Sequence, residues 1–267
     1  MKKILKKILP DSMINIAVEL KEKYFSRRRP KLRVFRGEDE SVLQCCIAYN
    51  KFGGYCVPLS SCYRPAAQRI LSGKVYESKT IAFLTSHCGD GDVVHGGTFF
   101  GDFIPALSRA LAPGYKLWAF EPNSENYLCA FITMKINRCN NVEIKNAAIG
   151  KSRGFTKVMV NDPKGRALGG ASRIISENEA ETGNTQKVEI FSIDEAVPPD
   201  RIISIIHLDV EGYEKEALSG ALKTINRCKP VIVLEALPEE SWLKENILKI
   251  GYKISGKVGN NTILSIS

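Results

Sequence analysis

Three acidic side chains stand directly after apolar segments in the second half of the sequence. Asp209 and Glu211 follow one such segment in the string HLDVEGYE, and Glu235 follows the next. If both segments are parallel strands, the three carboxylates meet at the carboxyl edge of the sheet, where open α/β sheets bind ligands. Capping the helix that follows requires only one acid. Three acids therefore indicate a polar substrate, a proton to be moved or a divalent cation.

A glycine-rich turn lies closer to the amino terminus and reads GGTFFGD from residue 96 to residue 102. Gly97 and Gly101 allow backbone conformations that are closed to other residues, so a ligand can lie against the main chain at the start of the next helix. Dinucleotide enzymes have similar turns, but their GxGxxG spacing is absent from this sequence, and so is the GxxxxGK(S/T) phosphate loop. The turn alone therefore indicates a ligand without naming it.

Glu121 ends the next apolar run, roughly 20 residues after the glycine-rich turn. An acid at this place in a nucleotide-binding sheet accepts hydrogen bonds from both hydroxyls of a ribose. The alternative is a glutamate that stabilises a helix start through the helix dipole, which is a common arrangement. Glu121 therefore indicates an adenosine ligand mainly in combination with Gly97 and Gly101.

Apolar runs alternate with helical patterns from residue 91 onward, and this alternation predicts a doubly wound, parallel α/β sheet covered on both faces. Segments 155–160 and 187–191 interrupt the alternation and predict an added hairpin and loop over the carboxyl edge. Segments 252–256 and 262–265 predict a terminal β-hairpin that gives the sheet one antiparallel strand. The predicted strands are 42–49, 92–95, 116–120, 142–147, 202–208 and 230–234, with a turn at 53–54, and the predicted helices are 66–71, 79–84, 102–111, 124–138, 213–226 and 241–250.

The composition indicates a globular protein. The chain has 267 residues, 44% of them hydrophobic and 25% charged, which fits one larger domain or one domain with a small appendage. No apolar run approaches the roughly 18 to 20 residues of a spanning helix, and residues 1–10 lack the separate apolar region of a secretion signal. Eight cysteines without a CxxC pair predict reduced thiols. We therefore expect a cytoplasmic protein.

The net charge of +9 lies entirely in residues 1–36, which carry twelve Lys and Arg against three acids. The other 26 basic and 26 acidic residues cancel, so no nucleic-acid partner is expected. Within this arm, the apolar residues of 13–24 recur at the spacing of an amphipathic helix. The apolar face of this helix either packs on the body of the protein or lies peripherally on an anionic membrane. The predicted organisation is a basic amphipathic arm at 1–36, a lead-in segment at 37–90 and a main domain at 91–267.

Several strings around these residues resemble the FkbM-type methyltransferases, which use S-adenosylmethionine. The DVEG string is the most distinctive of them, and together they cover about residues 91–237 in the family's order. The resemblance implies a class I methyltransferase fold with a Rossmann-like, mostly parallel sheet and a carboxyl-terminal antiparallel hairpin. It assigns cofactor contacts to His95, Gly97, Thr98, Gly101, Glu121, Pro122, Ala147 and Asp209. The matching strings are VVHGGTFFGDF, AFEPN, NVEIKNAAIG, GGAS, HLDVEGYEKEALSGA and PVIVLE.

One residue departs from the family's pattern. His95 stands where the first strand normally ends in an acid, which removes a carboxylate from the methionine end of the cofactor. A neutral imidazole still hydrogen-bonds, so a direct or water-mediated contact with the amino acid part of the cofactor is one expectation. A retuned cofactor site, or a catalytically silent relative, is the other.

The resemblance implies first an O-methyltransferase that acts on a small-molecule or glycan acceptor, at a hydroxyl of a sugar, a glycan or a natural product. The alternatives are a protein or nucleic-acid methyltransferase and a non-catalytic, cofactor-binding relative. A hydroxyl acceptor must lose its proton, so Asp209 is predicted to be the base or a ligand of an activating divalent cation. Glu211 and Glu235 are its orienting or metal-binding partners. His207 is a less favoured base because it lies inside an apolar run, where a buried histidine is common.

Overall fold

The computed structural model describes residues 43–175 and 182–266. The predicted arm and its helix at 13–24 lie outside the described residues. No helix within the described ranges combines the length and the apolar composition that crossing a bilayer requires. The strands are β1 Cys45–Asn50, β2 Gly53–Pro58, β3 Asp92–Gly96, β4 Leu117–Phe120, β5 Val142–Lys145, β6 Ala147–Ile149, β7 Gly154–Met159, β8 Arg173–Ile175, β9 Thr185–Phe191, β10 Ile203–Leu208, β11 Val231–Leu234, β12 Tyr252–Val258 and β13 Asn261–Ile266. The helices are α1 Pro65–Leu71, α2 Ser78–His87, α3 Ile104–Ala110, α4 Ser124–Ile136, α5 Ile193–Ala196, α6 Glu214–Ser219, α7 Leu222–Cys228 and α8 Glu240–Asn246.

Seven strands form the central sheet in the order β12-β13-β11-β10-β3-β4-β5. Strands β11, β10, β3, β4 and β5 pair in parallel, whereas β13 pairs antiparallel with both β11 and β12. This arrangement confirms the predicted doubly wound sheet and its terminal hairpin, and it is the class I methyltransferase fold. The strand order reverses between β3 and β10. In open α/β sheets a ligand binds in the crevice at such a reversal.

The central strands are apolar on both faces because helices cover both faces. On one face Val94, Phe120 and Ile206 pack under α6, α7 and α8, and on the other face Val93 and Ile205 pack under α2, α3 and α4. Every residue of β3 and β4 is buried. Two-sided burial explains why these strands read as unbroken apolar runs and why their ends could be located from the sequence.

The buried carboxylate of Asp92 fixes the amino-terminal edge of the central sheet. Asp92 is fully buried and accepts hydrogen bonds from the Lys116 backbone N–H and the Trp118 Nε1–H, each at 2.7 Å. The Arg201 guanidinium also donates to it, through Nε at 2.7 Å. One charged group thereby joins the start of β3 to β4 and to the turn before β10.

Three predicted elements are divided or end early in the structure. The predicted helix 213–226 is divided into α6 and α7 at Gly220, where an added Cβ would lie 2.0 Å from the Gly150 carbonyl oxygen. The predicted helix 241–250 ends at Asn246 and continues as a separate 3₁₀ turn, Leu248–Ile250. The predicted strand 142–147 ends at Lys145, and the chain then enters another sheet as β6.

That other sheet, called the accessory sheet here, has four strands in the order β6-β9-β7-β8. Strands β7 and β9 pair antiparallel, which confirms the hairpin predicted from 155–160 and 187–191. Its buried side chains form a small core of their own that includes Ala148, Val158 and Ile190. The accessory sheet is inserted between β5 and β10 of the central sheet.

In the described part of the lead-in segment, β1 and β2 form a hairpin that packs against α4. The Cys56 backbone N–H donates to Thr133 Oγ1 at 2.9 Å, and the Gly54 backbone N–H donates to Asn137 Oδ1 at 3.1 Å. The hairpin also shares a buried cluster with Phe100 and Cys129. These contacts attach the hairpin to α4, the helix that follows β4 and Glu121.

Candidate active site

Strands β3 and β10 meet through their main chains at the glycine-rich turn. Gly97 has φ +80°, and an added Cβ there would lie 1.8 Å from the Asp209 carbonyl oxygen. The Asp209 backbone N–H donates to the Gly96 carbonyl at 3.1 Å, and the Gly97 N–H donates to Phe120 at 3.0 Å. Only glycine permits this approach without moving the backbone. Gly97 therefore determines where Asp209 lies relative to the turn.

Glu121 supports the turn from the end of β4. Its side chain is 3% exposed, and its Oε2 accepts the Phe99 N–H at 2.7 Å while Oε1 accepts the Asn123 N–H at 2.9 Å. Phe99 lies in the left-handed region at φ +51°, so this contact stabilises a rarely used conformation. Burial raises the pKa of Glu121 to about 8, against the opposing effect of the two N–H donors. The Asn126 Nδ2–H also donates to Oε1 at 3.4 Å, so Oε2 is the oxygen that keeps lone-pair capacity for a ribose hydroxyl.

A cleft with about 430 Å³ of empty space, part of it open to solvent, lies at the reversal between β3 and β10. Five of the residues predicted to bind a cofactor line it: Gly97, Glu121, Pro122, Ala147 and Asp209. The other lining residues were not predicted and are Phe120, Ala148, Ile149, Gly170, Ser172, Ile174 and Val210. The string GGAS, which contains Gly170 and Ser172, was the available signal for part of this set. The lining is mainly apolar with one buried carboxylate, as an adenosine requires.

Two predicted cofactor contacts do not line the cleft. Thr98 is fully buried, and its hydroxyl donates to the Phe120 carbonyl at 3.2 Å. Gly101 has φ +83°, and an added Cβ would lie 3.2 Å from the Ala130 Cα of α4. Both residues shape the turn and its packing against helices, and their assignment as ligand contacts stays a prediction.

His95 also lies outside the cleft lining and pairs with His207 on the neighbouring strand. Their Nδ1 atoms are 3.0 Å apart, and each residue is 2% exposed. Burial lowers the pKa of both imidazoles, that of His207 to about 4, so the pair is neutral and shares one N–H between the rings. Phe103 packs against both rings. The two histidines thus contact each other inside the core, and the Nε2 atom of each ring has no hydrogen-bond partner among the described residues. The contact of His95 with the methionine end stays a prediction, and the burial of His207 keeps it the less favoured base.

The three acids predicted from the strand ends come together. Asp209, Glu211 and Glu235 each present an oxygen within 4.8 Å of the others. The Glu235 backbone N–H donates to the Leu208 carbonyl at 3.1 Å, which sets β11 beside β10 at this edge. Glu211 has φ +53° and precedes Gly212 at φ +94°, so the chain turns sharply between the carboxylates and α6.

Burial, together with repulsion between neighbouring acids, raises the pKa of two of these carboxyl groups. Burial, followed by the hydrogen bond and charge of Glu235, raises the pKa of Asp209 well above its ordinary value. Desolvation, followed by the charge of Glu235, raises the pKa of Glu211 to about 7. Burial raises the pKa of Tyr76 to about 12, with smaller effects from nearby acids that include Asp209. The phenol of Tyr76 stays protonated beside the carboxylates, and the sequence had not singled it out.

Solved structures with similar folds share little sequence with this chain. The methyltransferase FkbM from Methylobacillus flagellatus KT is 18% identical with a TM-score of 0.46, over 67% of this chain and 44% of that one. A tRNA (uracil-54, C5)-methyltransferase from Pyrococcus abyssi, in complex with S-adenosyl-L-homocysteine, is 14% identical with a TM-score of 0.43, over 88% and 47%. A putative O-methyltransferase from Klebsiella pneumoniae is 10% identical with a TM-score of 0.40, over 71% and 79%. The chain thus spans less than half the length of the first two.

No curated protein sequence matches this chain significantly. Residues 87–250 match the family described as the methyltransferase FkbM domain, and they include the glycine-rich turn, Glu121 and all three strand-end acids. The matched segment covers more than half of the chain and runs from the end of α2 to the 3₁₀ turn after α8. The chain therefore belongs to the methyltransferase FkbM domain family.

Proposed function

We propose that the protein transfers a methyl group from S-adenosylmethionine to a hydroxyl group of a sugar, a glycan or a natural product. The observation that carries this proposal is the position of Asp209. It lines the same cleft as Gly97 and Glu121, and its carboxylate belongs to the group formed with Glu211 and Glu235. One cleft is therefore lined both by Glu121, a hydrogen-bond acceptor for a ribose, and by Asp209, a carboxylate with a raised pKa.

The residues of the cleft fit S-adenosylmethionine. Glu121 Oε2 has lone-pair capacity for a ribose hydroxyl, Pro122 and Ala147 offer apolar contact to the adenine, and Gly97 offers main chain to the methionine end. When bound, S-adenosylmethionine supplies a methyl group whose S–C bond breaks as the O–C bond to the acceptor forms, with the electron pair retained by sulfur.

Asp209 is the base in this proposal. An acceptor hydroxyl is a poor nucleophile until it loses its proton, and a carboxylate with a raised pKa accepts that proton more readily than an ordinary one. Glu235 strengthens Asp209 as a base because its negative charge favours the protonated form of Asp209. Glu211 orients the acceptor by hydrogen bonding in this proposal.

A divalent cation on Asp209, Glu211 and Glu235 is the alternative within the same function. Their oxygens lie close enough together to serve as ligands of one ion, and oxygen is the donor that Mg²⁺ and Ca²⁺ prefer. Such an ion would lower the pKa of an acceptor hydroxyl. The chelator EDTA separates the two schemes, because base catalysis by Asp209 persists in its presence and the metal scheme does not.

The test uses labelled S-adenosylmethionine and an extract of the source cell as the supply of acceptors. The protein should label a hydroxyl-bearing fraction, and Asp209→Asn should lower the rate about 10²- to 10⁴-fold while S-adenosylmethionine affinity stays within a few-fold. Glu245→Gln, an exposed acid of α8, is the charge-matched control and should retain activity. An active Asp209→Asn variant, or label confined to protein or nucleic acid, would contradict the proposal.

A further inference from the structure

An open groove runs along the accessory sheet and was not anticipated from the sequence. It encloses about 1850 Å³, including space open to solvent, and it is formed by the segment that begins β7, by β8 and β9, and by the start of α6. The basic side chains of Lys151, Arg153, Lys157 and Lys187 line it, against one acid, Glu216. An excess of one charge sign along a groove concentrates ligands of the opposite sign.

The groove adjoins the cofactor cleft. Ile174 of β8 lines both of them. Tyr213, which follows the Asp209–Gly212 string directly, also lines the groove, and a Cβ added at Gly150 would lie 3.2 Å from its Cε1. A molecule lying in the groove therefore has one end next to the cleft. This is the position that the remote part of an acceptor would occupy.

Two lysines of the groove lack a carboxylate partner, and an aromatic ring lies beside one of them. Among residues 43–175 and 182–266, no acid pairs with Lys151 or Lys187, whereas Arg153 lies 3.6 Å from Glu189. The Lys187 ammonium lies 4.7 Å from the ring centroid of Phe155, a side chain that is 65% exposed. Aromatic faces carry negative partial charge and attract the C–H faces of sugar rings as well as cations.

We infer that the acceptor is an anionic saccharide, whose carboxylate or phosphate groups lie in this groove on Lys151 and Lys187 while one sugar ring packs on Phe155. This inference rests on the proposed function, because it names the class of acceptor for the same cleft. The negative charges are separate from the hydroxyl that is methylated, since the groove lies to one side of Asp209. Neutral saccharides gain only the aromatic contact.

Direct binding tests the inference without knowledge of the natural acceptor. The full-length protein is saturated with S-adenosylhomocysteine and titrated with three probes in a calorimeter: hexagalacturonate, which bears carboxylates, pentamannosyl phosphate, which bears phosphate, and neutral maltohexaose. The variant is Lys151→Ala combined with Lys187→Ala. The matched control is Lys249→Ala combined with Lys253→Ala, which removes the same charge from exposed sites on the opposite edge of the central sheet.

At least one anionic probe should bind the wild type and the control equally, bind the groove variant about tenfold more weakly, and lose affinity with added salt. Comparison of the titrations with hexagalacturonate and pentamannosyl phosphate then shows whether the groove prefers a carboxylate or a phosphate. The inference would be overturned if neither anionic probe binds, or if the groove variant and the control variant bind the probes equally. It would also be overturned if an eight-nucleotide RNA, titrated in the same way, binds more tightly than the saccharides and loses affinity in the groove variant. S-adenosylhomocysteine binding in the same samples separates this failure from failure of the proposed function, which would show as loss of that binding.

Discussion

Replacing Glu235 with glutamine removes one negative charge from beside Asp209 and keeps the shape of the side chain. In the structure, Glu235 raises the pKa of Asp209 through a hydrogen bond and through its charge. The substitution should therefore lower the pKa of Asp209. Asp209 would then be ionised at a lower pH and would be a weaker base at neutral pH.

The size of this change follows from the geometry. The oxygens of the two residues lie within 4.8 Å. At that separation, two unit charges repel by about 0.9 kcal/mol at a dielectric constant of 80 and by about 3.5 kcal/mol at 20. Removing this repulsion favours the ionised form of Asp209, so its pKa should fall. Because Glu235 is exposed, water screens the pair, and we expect an effect nearer the lower of the two energies.

Carboxyl ¹³C NMR measures this change without an acceptor. Protein labelled at aspartate and glutamate carboxyl carbons is titrated with pH, and the coupled carboxylates report the apparent pKa values of the group. The Glu235→Gln spectrum should show a titration step displaced to lower pH, whereas Glu245→Gln, which also removes one acid, should leave that step unchanged. An unchanged or rising pKa for Asp209 in Glu235→Gln would refute the role of Glu235 in raising that pKa, and burial would then be its remaining cause.

Four further predictions concern the cofactor, the core and the amino-terminal arm. Glu121→Ala should weaken S-adenosylhomocysteine binding by about 1 to 3 kcal/mol in calorimetry, and normal affinity would contradict the assignment of the ribose. Burial lowers the pKa of His207 in the folded protein to about 4, whereas in the unfolded chain it is about 6.5. Between these two pH values the unfolded chain binds more protons than the folded protein, so the stability of the fold is lost as pH falls. His207→Asn should therefore show a shallower fall of Tm than the wild type between about pH 6.5 and 4. Asp92→Ala should lower the free energy of unfolding by about 3 to 5 kcal/mol in urea, because it leaves the Arg201 guanidinium without its buried partner. A chain without residues 1–36 should lose flotation with acidic liposomes at low salt and keep cofactor binding, and equal flotation of both chains would count against membrane contact by the arm.

The sequence was most informative where burial restricts the residue types. Strands β3, β4, β10 and β11 are covered on both faces, so they had to be apolar runs, and acids directly after such runs had to lie at the sheet edge. For this reason Glu121, Asp209 and Glu235 could be assigned to one edge before their geometry was known. Gly97 was detectable because its conformation and the nearby Asp209 carbonyl exclude a side chain.

The remaining features depend on register between distant segments. His95 and His207 lie opposite each other only because β3 and β10 pair in this register, and the strings themselves give no sign of it. The accessory sheet starts at Ala147, where an apolar run continues across a change of sheet. The basic groove combines segments near residues 151, 174, 187 and 213, and its charges are scattered in the sequence. Local patterns therefore predicted the residues that line the cleft better than those that line the groove.

A crystal structure of the protein with S-adenosylhomocysteine tests the central claim most directly. We predict the ligand in the cleft between the ends of β3, β4 and β10, with the ribose hydroxyls on Glu121 and the sulfur facing Asp209. His95 should remain paired with His207 beneath it. A ligand bound elsewhere, or one whose sulfur faces away from Asp209, would contradict the proposed base and the assignment of the cleft.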